Sequence, residues 1–396
     1  MSLTSLLFAL AVQTPAIPLH TCLPELRRRA AYSGLPAARF DALIAGHVPD
    51  ATVLALLDAQ PEFTTAVWDY LAALVDAERV EDGRARLREN ADLLQRIEAA
   101  YGVDPATVVA VWGVESDYGR SRGSRVLQES LLALSCAGRR QPFFRGELIA
   151  LLKLIDSGDL QPSAEVPLTG SWAGAFGQTQ FMPSTYARIA VDFDGDGRRD
   201  LVDSVADALA STAHYLQRSN WRSGQAWGIE VQLPRGHRGS ANRRDTAPLS
   251  DWAARGVRRV DGSPLVASDL AADRRAGLLL PAGVEGPAFL VFRNFEALFS
   301  YNASQNYALA IGHLADRIRG GSEFHTPWPT DDPGLSRAQR RELQALLIAR
   351  GHDIGEIDGR LGPRSRAGIS AEQARLGWTA DGRAGQRLLE SLREGG

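Results

Sequence analysis

Apolar and polar positions follow a helical period over most of this chain. Between Leu23 and about residue 100, apolar residues recur on one face of successive helices, and the pattern continues over 122–157 and 202–220. Between 226 and 292, glycine and proline become frequent and short apolar runs typical of strands appear. The pattern predicts a mainly α protein of the α+β class, in which a small, partly β subdomain is inserted into a helical frame.

The two ends of the chain differ from this main domain. The apolar run within residues 1–18 has the length of a signal-peptide core and is too short to span a bilayer, so we expect export and a main domain over 19–318. Residues 319–334 are rich in glycine, proline and polar residues and are typical of a linker. The last segment, 335–396, predicts a compact helical unit. No later stretch reaches transmembrane length, and no cysteine stands in a lipoprotein-like setting, so we expect neither a membrane span nor a lipid anchor.

Composition narrows the function classes. The chain of 396 residues is long enough for two or three domains, and its formal net charge of -3 argues against a nucleic-acid-binding protein, which would need a basic surface. In an exported protein Cys22 and Cys136 could form one disulfide, although two buried thiols are an equally good interpretation.

One carboxylate follows a strongly apolar segment. Asp104 is a natural N-cap and Pro105 suits the first helical turn, and no charged residue then occurs until Glu115. Because desolvation disfavours an ionised carboxylate, the pKa of Glu115 is expected to be raised, so that it could donate a proton to a leaving oxygen. The alternative is an ordinary glutamate paired with an arginine.

A second stretch, residues 170–186, combines glycines with neutral hydrogen-bonding groups and aromatic rings. Ser171 and Gln180 offer polar groups, and Trp172, Phe176 and Phe181 offer flat apolar faces. This combination suits a sugar, which carries many hydroxyls and no ring charge. A tight turn packed by aromatic residues is the alternative.

Together these stretches resemble one family closely. Gly-x-Glu-x-x-x-Gly at 113–119, followed by Ser-Trp-Ala-Gly-Ala-x-Gly from Ser171 and by Gln-Phe-Met-Pro-Ser-x-Tyr from Gln180, is similar to the membrane-bound lytic murein transglycosylase B family (glycoside hydrolase family 103 type), a lysozyme-like group acting on peptidoglycan. The likeness extends through the Asp-rich stretch from Asp192 and the Tyr-Asn-x-Ser-x-x-Tyr stretch from Tyr301, and covers about residues 20–318.

The resemblance implies roles for individual residues. Glu115 matches the family's single catalytic glutamate. Six other residues match positions near it or along the glycan groove, namely Ser171, Gln180, Asn302, Tyr70, Tyr215 and Tyr301. Core packing is the alternative for each tyrosine.

The number of carboxylates bears on the reaction. Hydrolytic glycosidases normally use two carboxylates, but the nearest candidate partner, Asp117, stands two residues from Glu115, where side chains on a helix diverge by about 200°. A lone glutamate fits the family's non-hydrolytic reaction at the β-1,4 bond between N-acetylmuramic acid and N-acetylglucosamine. In that reaction the glutamate protonates the bridging oxygen and then deprotonates the muramic C6 hydroxyl, which closes a 1,6-anhydro ring. The alternatives are a hydrolytic muramidase and a non-catalytic peptidoglycan-binding protein.

An acidic loop has the first half of an EF-hand pattern. Alternating carboxylates, a glycine at the sixth position and a backbone carbonyl at the seventh suit a hard cation. Asp203 stands at the twelfth position, but the family's loop is longer and its last acid matches Asp207 better, so the choice of last ligand stays open between these two residues. We therefore expect a structural calcium and no catalytic cofactor, with an acidic turn lacking metal as the alternative. The predicted ligands are Asp192, Asp194, Asp196, Arg198 through its carbonyl, and Asp207.

The C-terminal unit resembles a small three-helix peptidoglycan-binding module. Its signature is Asp-Gly-x-x-Gly-Pro-x-Ser-Arg from Asp358, and a stabilising helical appendage is the alternative. The sequence thus predicts an exported, periplasmic enzyme whose partner is the peptidoglycan glycan strand.

Overall fold

The computed structural model describes residues 17–57, 64–163, 165–237, 241–267 and 270–395. Most of the predicted signal peptide, 1–18, lies outside these residues. The described residues form two compact units, one lying within residues 1–60 and 122–203 and the other within residues 61–121 and 204–396. None of the described helices combines the length and the apolar character needed to cross a membrane.

Sixteen α-helices lie in the described part of the chain, in the order α1 Leu19–Tyr32, α2 Ala37–Ile44, α3 Val67–Leu74, α4 Ala77–Glu89, α5 Ala91–Tyr101, α6 Pro105–Ser116, α7 Leu127–Cys136, α8 Gln141–Asp156, α9 Pro183–Ile189, α10 Val205–Arg218, α11 Leu249–Ala254, α12 Arg293–Asn302, α13 Gln305–Ile318, α14 Arg337–Ala349, α15 Pro363–Arg375 and α16 Gln386–Glu394. A 3₁₀ helix, Ala51–Leu56, lies between α2 and α3.

The described residues of the first unit are mainly helical, with one short two-stranded sheet. Helices α7 and α8 pack against each other, and β1 (Arg125–Val126) pairs antiparallel with β2 (Thr169–Gly170). Cys22 in α1 and Cys136 at the end of α7 form a disulfide, with their Cα atoms 5.4 Å apart. Of the two interpretations that the sequence left open, the structure therefore has the bridge, and it closes a loop of 114 residues.

The second unit contains the predicted β subdomain. Five strands, β3 Gly228–Gln232, β4 Ala247–Pro248, β5 Arg258–Arg259, β6 Arg275–Leu279 and β7 Ala288–Val291, form an antiparallel sheet in the order β4-β6-β7-β3-β5. Buried Leu278, Leu290 and Trp252 belong to its apolar core. Helix α6 packs against α4, α10 and α13 in the same unit. The prediction of a mainly helical chain with a small sheet is confirmed.

Three helices, α14 to α16, enclose a separate core at the C-terminal end. Its centre is formed by leucines and isoleucines that are almost fully buried, among them Leu343, Leu347, Ile369 and Leu389. A capping box begins α14: the Ser336 side chain accepts from the Gln339 amide, and the Gln339 side chain accepts from the Ser336 amide. These contacts give the module its own hydrophobic core and a sharply defined first helix.

Candidate active site

The helix that carries Glu115 begins as the sequence predicts. The side chain of Asp104 accepts a hydrogen bond from the amide of Thr107 at 3.0 Å, and Pro105 occupies the first turn. Nine residues of α6 are buried, including the whole run 106–113. Such a helix cannot shift without disrupting the core. The backbone of Glu115, a half-buried residue in the last turn, is therefore held in a fixed position.

The hydroxyl of Tyr307 donates a hydrogen bond to Oε1 of Glu115. Burial, followed by the charge of Glu115, raises the pKa of Tyr307 well above its ordinary value, so the phenol keeps its proton at neutral pH. Ser304 caps α13 by accepting from the Tyr307 amide at 3.4 Å, which fixes the tyrosine in the first turn. Tyr307 therefore acts as a permanent donor to one oxygen of the glutamate.

Three further tyrosines surround this pair. The ring of Tyr301 stacks on Tyr307 with centroids 6.2 Å apart, and Tyr215 meets Tyr301 edge-on at 4.7 Å. After burial and Glu115, both Tyr301 and Tyr70 contribute to the raised pKa of Tyr307, which places them in its electrostatic surroundings. Tyr215 and Tyr301 thus form one aromatic group with Tyr307 beside Glu115, and Tyr70 lies close enough to Tyr307 to affect its pKa.

Asn302 ends helix α12 and is exposed to solvent. The next residue, Ala303, has a φ of 50°, so the chain turns sharply there before Ser304 begins α13. This turn places Asn302 at the junction of α12 and α13, whose tyrosines Tyr301 and Tyr307 stack on each other.

The carboxylate of Asp117 is paired with three arginines. Its oxygens accept from Arg120 Nε at 3.0 Å and from Arg337 Nη2 at 2.9 Å, and Arg79 Nη2 lies 3.5 Å away. Burial alone would raise the pKa of Asp117, but the hydrogen bond from Arg120 and the charges of Arg79 and Arg337 outweigh it and hold the pKa below its usual value. Asp117 is therefore an ionised, fully paired group, which is poorly suited to act as a second catalytic carboxylate.

Ser171 and Gln180 lie in the other compact unit, in a loop held by close backbone contacts. Ser171 Oγ accepts from the Ala175 amide at 3.0 Å, while Gln180 Nε2 donates to the carbonyls of Arg122 (3.1 Å) and Gly177 (2.8 Å). A Cβ on Gly170 would lie 2.2 Å from the Ala175 carbonyl oxygen, so only glycine fits there. Both polar side chains thus stabilise the loop. The Ser171 hydroxyl hydrogen and the side-chain oxygen of Gln180 take no part in these contacts and could form hydrogen bonds with a ligand.

The expectation that Phe176 and Phe181 present flat faces to a ligand is wrong. Their backbones pair as an antiparallel bridge, and their side chains are 0% and 1% exposed. The bridge turns both rings into the core, where Phe176 packs against Tyr186 with centroids 5.5 Å apart. Trp172 is half-buried and keeps part of its surface in solvent.

The acidic loop brings three of its predicted ligands together. Carboxylate oxygens of Asp192, Asp194 and Asp196 lie within 4.8 Å of one another, and all three residues are exposed. Asp192 accepts from the amides of Gly195 (2.7 Å) and Gly197 (2.9 Å), so the chain wraps around its carboxylate. A set of hard oxygen donors at this spacing fits a calcium ion.

The last two predicted ligands are placed differently. The Arg198 amide donates to Asp196 at 2.8 Å, which makes Arg198 the end of the same turn. Asp207 belongs to the second unit, where it lies fully buried in the first turn of α10.

Comparison with known proteins identifies the family of this chain. The model of the transglycosylase SLT domain matches residues 18–316, about three quarters of the chain. The chain belongs to this SLT transglycosylase family. A model of peptidoglycan binding domains matches residues 336–392, within the C-terminal module. The transglycosylase is also 32% identical over 283 residues to membrane-bound lytic murein transglycosylase B of Escherichia coli. The aligned region covers 67% of this chain and 74% of the relative.

Solved structures extend the likeness over nearly the whole transglycosylase. SltB3 from Pseudomonas aeruginosa, in complex with NAG-anhNAM-pentapeptide, is 46% identical with a TM-score of 0.74, covering 95% of this chain and 99% of SltB3. The lytic transglycosylase Slt35 of Escherichia coli, in complex with calcium, is 28% identical with a TM-score of 0.64, covering 75% of this chain and 92% of Slt35. The lysozyme-like fold and the assignment as a peptidoglycan lytic transglycosylase are thereby confirmed.

Sequence reasoning missed two residues that contact the candidate centre. Tyr307 stood in the quoted Tyr-Asn-x-Ser-x-x-Tyr stretch, but nothing in its spacing indicated that its hydroxyl, rather than that of Tyr301, reaches Glu115. Arg337 lies 220 residues from Asp117 in sequence, and no local pattern connects the two.

Proposed function

We propose that Glu115 is the single general acid and base of this transglycosylase, and that it cleaves the β-1,4 bond between N-acetylmuramic acid and N-acetylglucosamine without water. As acid, Glu115 protonates the bridging oxygen. As base, it removes the proton from the C6 hydroxyl of the muramic residue, whose oxygen then bonds to C1 and closes a 1,6-anhydro ring. The substrate supplies the nucleophile, so one carboxylate suffices.

The hydrogen bond from Tyr307 to Glu115 is the observation that carries this proposal. A donor that keeps its proton holds Oε1 of Glu115 in place, so the carboxylate has a defined position from which to transfer a proton. The state of Asp117 supports the absence of a second catalytic carboxylate, since that group is committed to Arg79, Arg120 and Arg337. Hydrolytic glycosidases instead hold two available carboxylates about 5–10 Å apart around the bond.

We further propose that six polar and aromatic residues bind the glycan. The tyrosine group beside Glu115 offers rings on which sugars can stack. The exposed side-chain amide of Asn302, the Ser171 hydroxyl and the side-chain oxygen of Gln180 can form hydrogen bonds with sugar hydroxyls. The bound ligand of SltB3, NAG-anhNAM-pentapeptide, is of the chemical class that such groups would recognise.

For the acidic loop we propose a structural calcium ion held by Asp192, Asp194 and Asp196, the Arg198 carbonyl and Asp207. The cluster of three carboxylates supports it, as does the calcium in Slt35. We also propose that the protein is exported to the periplasm through residues 1–18, that the main domain spans 19–318 with its subdomain at 226–292, that 319–334 is the linker, and that 335–396 binds peptidoglycan.

Digestion of purified peptidoglycan in water labelled with heavy oxygen tests the reaction. The proposal predicts muropeptides lighter by one water than hydrolytic products and without label at the muramic end. Labelled reducing ends would show a hydrolytic muramidase instead, and binding without release would show a non-catalytic protein.

A further inference from the structure

The C-terminal module reaches the end of the helix that carries Glu115. Arg337, the first residue of α14, places Nη2 2.9 Å from Oδ1 and Nη1 3.4 Å from Oδ2 of Asp117, a two-pronged contact. The Arg337 side chain is only 12% exposed and that of Asp117 19%, so this pair is shielded from solvent. An ion pair of this kind is worth more than one on an open surface.

The backbone at this helix end is held in an unfavourable conformation. Asp117 and Tyr118 have φ angles of 53° and 57°, in the left-handed region that residues with a Cβ rarely adopt. The Tyr118 hydroxyl donates to the Arg79 carbonyl at 2.7 Å, and its ring packs so closely on Gly113 that a Cβ there would lie 2.7 Å from it. Side-chain contacts therefore keep the turn in place immediately after Glu115.

The other two arginines on Asp117 are held differently from Arg337. Arg79 lies 3.5 Å away, beyond good hydrogen-bond distance, and its own desolvation lowers its pKa. Arg120 also makes a two-pronged contact with Asp117, with Nε–Oδ2 at 3.0 Å and Nη2–Oδ1 at 3.1 Å, but its Nη2 is shared with Asp82 and its side chain is 43% exposed. Arg337 thus supplies the most shielded close contact, and it comes from the module rather than from the helical domain.

A second arginine of the module fixes its position. Arg383 contacts Asp69 of α3 with Nε–Oδ2 at 2.7 Å and Nη2–Oδ1 at 2.9 Å, directly before Tyr70. Arg383 belongs to an Asp-Gly-Arg turn whose Gly382 amide donates to Gln373 at 2.8 Å, which makes the turn rigid.

The linker is also held by the main domain. The carboxylate of Glu230 accepts from the amides of His325 and Thr326 at 2.8 Å each, and Phe324 stacks on His313 with centroids 3.8 Å apart. The module is thus attached at several places instead of hanging from a flexible connection.

We propose that Arg337 is a positioning residue for catalysis: through Asp117 it fixes the turn after Glu115, so the C-terminal module is a working part of the catalytic centre as well as a wall-binding unit. The inference rests on the proposed role of Glu115. A small displacement of a catalytic group can cost about 100-fold in rate, so losing one of the contacts that hold it is expected to lower kcat.

The test uses the full chain and a soluble fragment of alternating N-acetylglucosamine and N-acetylmuramic acid, for which retention on the wall is irrelevant. Arg337→Gln is expected to lower kcat by about 10-fold to 100-fold with KM changed less than about twofold. Arg337→Lys, which keeps the charge but not the two-pronged geometry, is expected to recover part of the loss. In an Asp117→Asn background, Arg337→Gln should have little further effect.

Arg341→Gln is the matched control, because Arg341 also joins the module to the helical domain, through Glu78, but does not contact Asp117. Its kcat is expected to stay near wild type. The inference would be overturned by a wild-type kcat for Arg337→Gln, or by an equal loss of kcat in Arg341→Gln. It would also be overturned if Arg337→Gln lowered kcat in the Asp117→Asn background as much as it does in the wild type. If Arg337→Gln does not fold, a wild-type kcat for Arg337→Lys would overturn it. Glu115→Gln in the same assay tests the proposed function separately, since retained activity there would refute the role of Glu115 itself.

Discussion

Tyr307 donates a hydrogen bond to the carboxylate of Glu115 from a buried position in which it cannot readily ionise. Tyr307→Phe removes this donor and leaves the ring in place. A hydrogen bond to a charged group contributes about 1.5–3 kcal/mol, so we expect kcat to fall by roughly 10-fold to 100-fold. The basic limb of the kcat profile should move to higher pH, because the ionised carboxylate loses a stabilising partner.

A steady-state pH series on soluble glycan fragments measures both effects. Tyr32→Phe is the control, because its side chain is 96% exposed and an equal loss there would indicate a general effect of the substitution. A Tyr307→Phe enzyme with wild-type kcat and an unchanged pH profile would show that the contact has no part in catalysis.

Calcium should stabilise the protein without being needed for the chemical step. A ligand bound only to the folded state at about 100 times its Kd adds about 2.7 kcal/mol to the free energy of unfolding, so calcium should raise Tm and a chelator should reverse the rise. Asp194→Asn should abolish the response, and Asp353→Asn, which alters an exposed acid outside the acidic loop, should preserve it. A Tm that does not respond to calcium in the wild type would refute the site.

Reduction of the Cys22–Cys136 disulfide should destabilise the first compact unit. The bridge closes a loop of 114 residues. In the chain-entropy model, a loop of about 100 residues corresponds to roughly 4–5 kcal/mol, and removing such a bridge typically costs about 2–5 kcal/mol. Thermal unfolding with and without reductant measures this loss. The double variant Cys22→Ser, Cys136→Ser should be destabilised without reductant and show no further change with it.

His313 should make stability depend on pH in a defined window. Burial, followed by the charge of Arg317, lowers the pKa of His313 from 6.5 to about 4. Between these values the unfolded chain binds the proton more readily, so stability is fully present above about pH 6.5 and is lost as the pH falls towards about 4. The loss should reach about 3 kcal/mol.

Chemical denaturation at several pH values checks this, with His313→Gln as the neutral replacement. The variant should show a flatter dependence between about pH 6.5 and 4 than the wild type. An equally steep dependence in both proteins would assign the effect to other groups.

Local rules explain what the sequence could predict. The N-cap Asp104 and the apolar run after it defined α6 in advance, and the change to glycine-rich, β-like segments defined the inserted sheet. These features depend on neighbouring residues. The disulfide could not be decided, because the separation of Cys22 and Cys136 says nothing about whether their helices meet.

The features that sequence reasoning missed depend on how the chain packs in three dimensions. Phe176 and Phe181 looked available for a sugar, but a backbone bridge between them turns both into the core. The contacts of Tyr307 with Glu115 and of Arg337 with Asp117 join residues 192 and 220 positions apart. Such pairs are set by tertiary packing, which residue spacing does not encode.

Mass spectrometry of the soluble products from purified peptidoglycan, with wild type beside Glu115→Gln, tests the central claim most directly. The account predicts anhydro muropeptides from the wild type and none from the folded variant, whose neutral amide can neither donate nor accept the transferred proton as a carboxyl group does. The same anhydro products from Glu115→Gln at a comparable rate would contradict it and assign the proton transfers to another group.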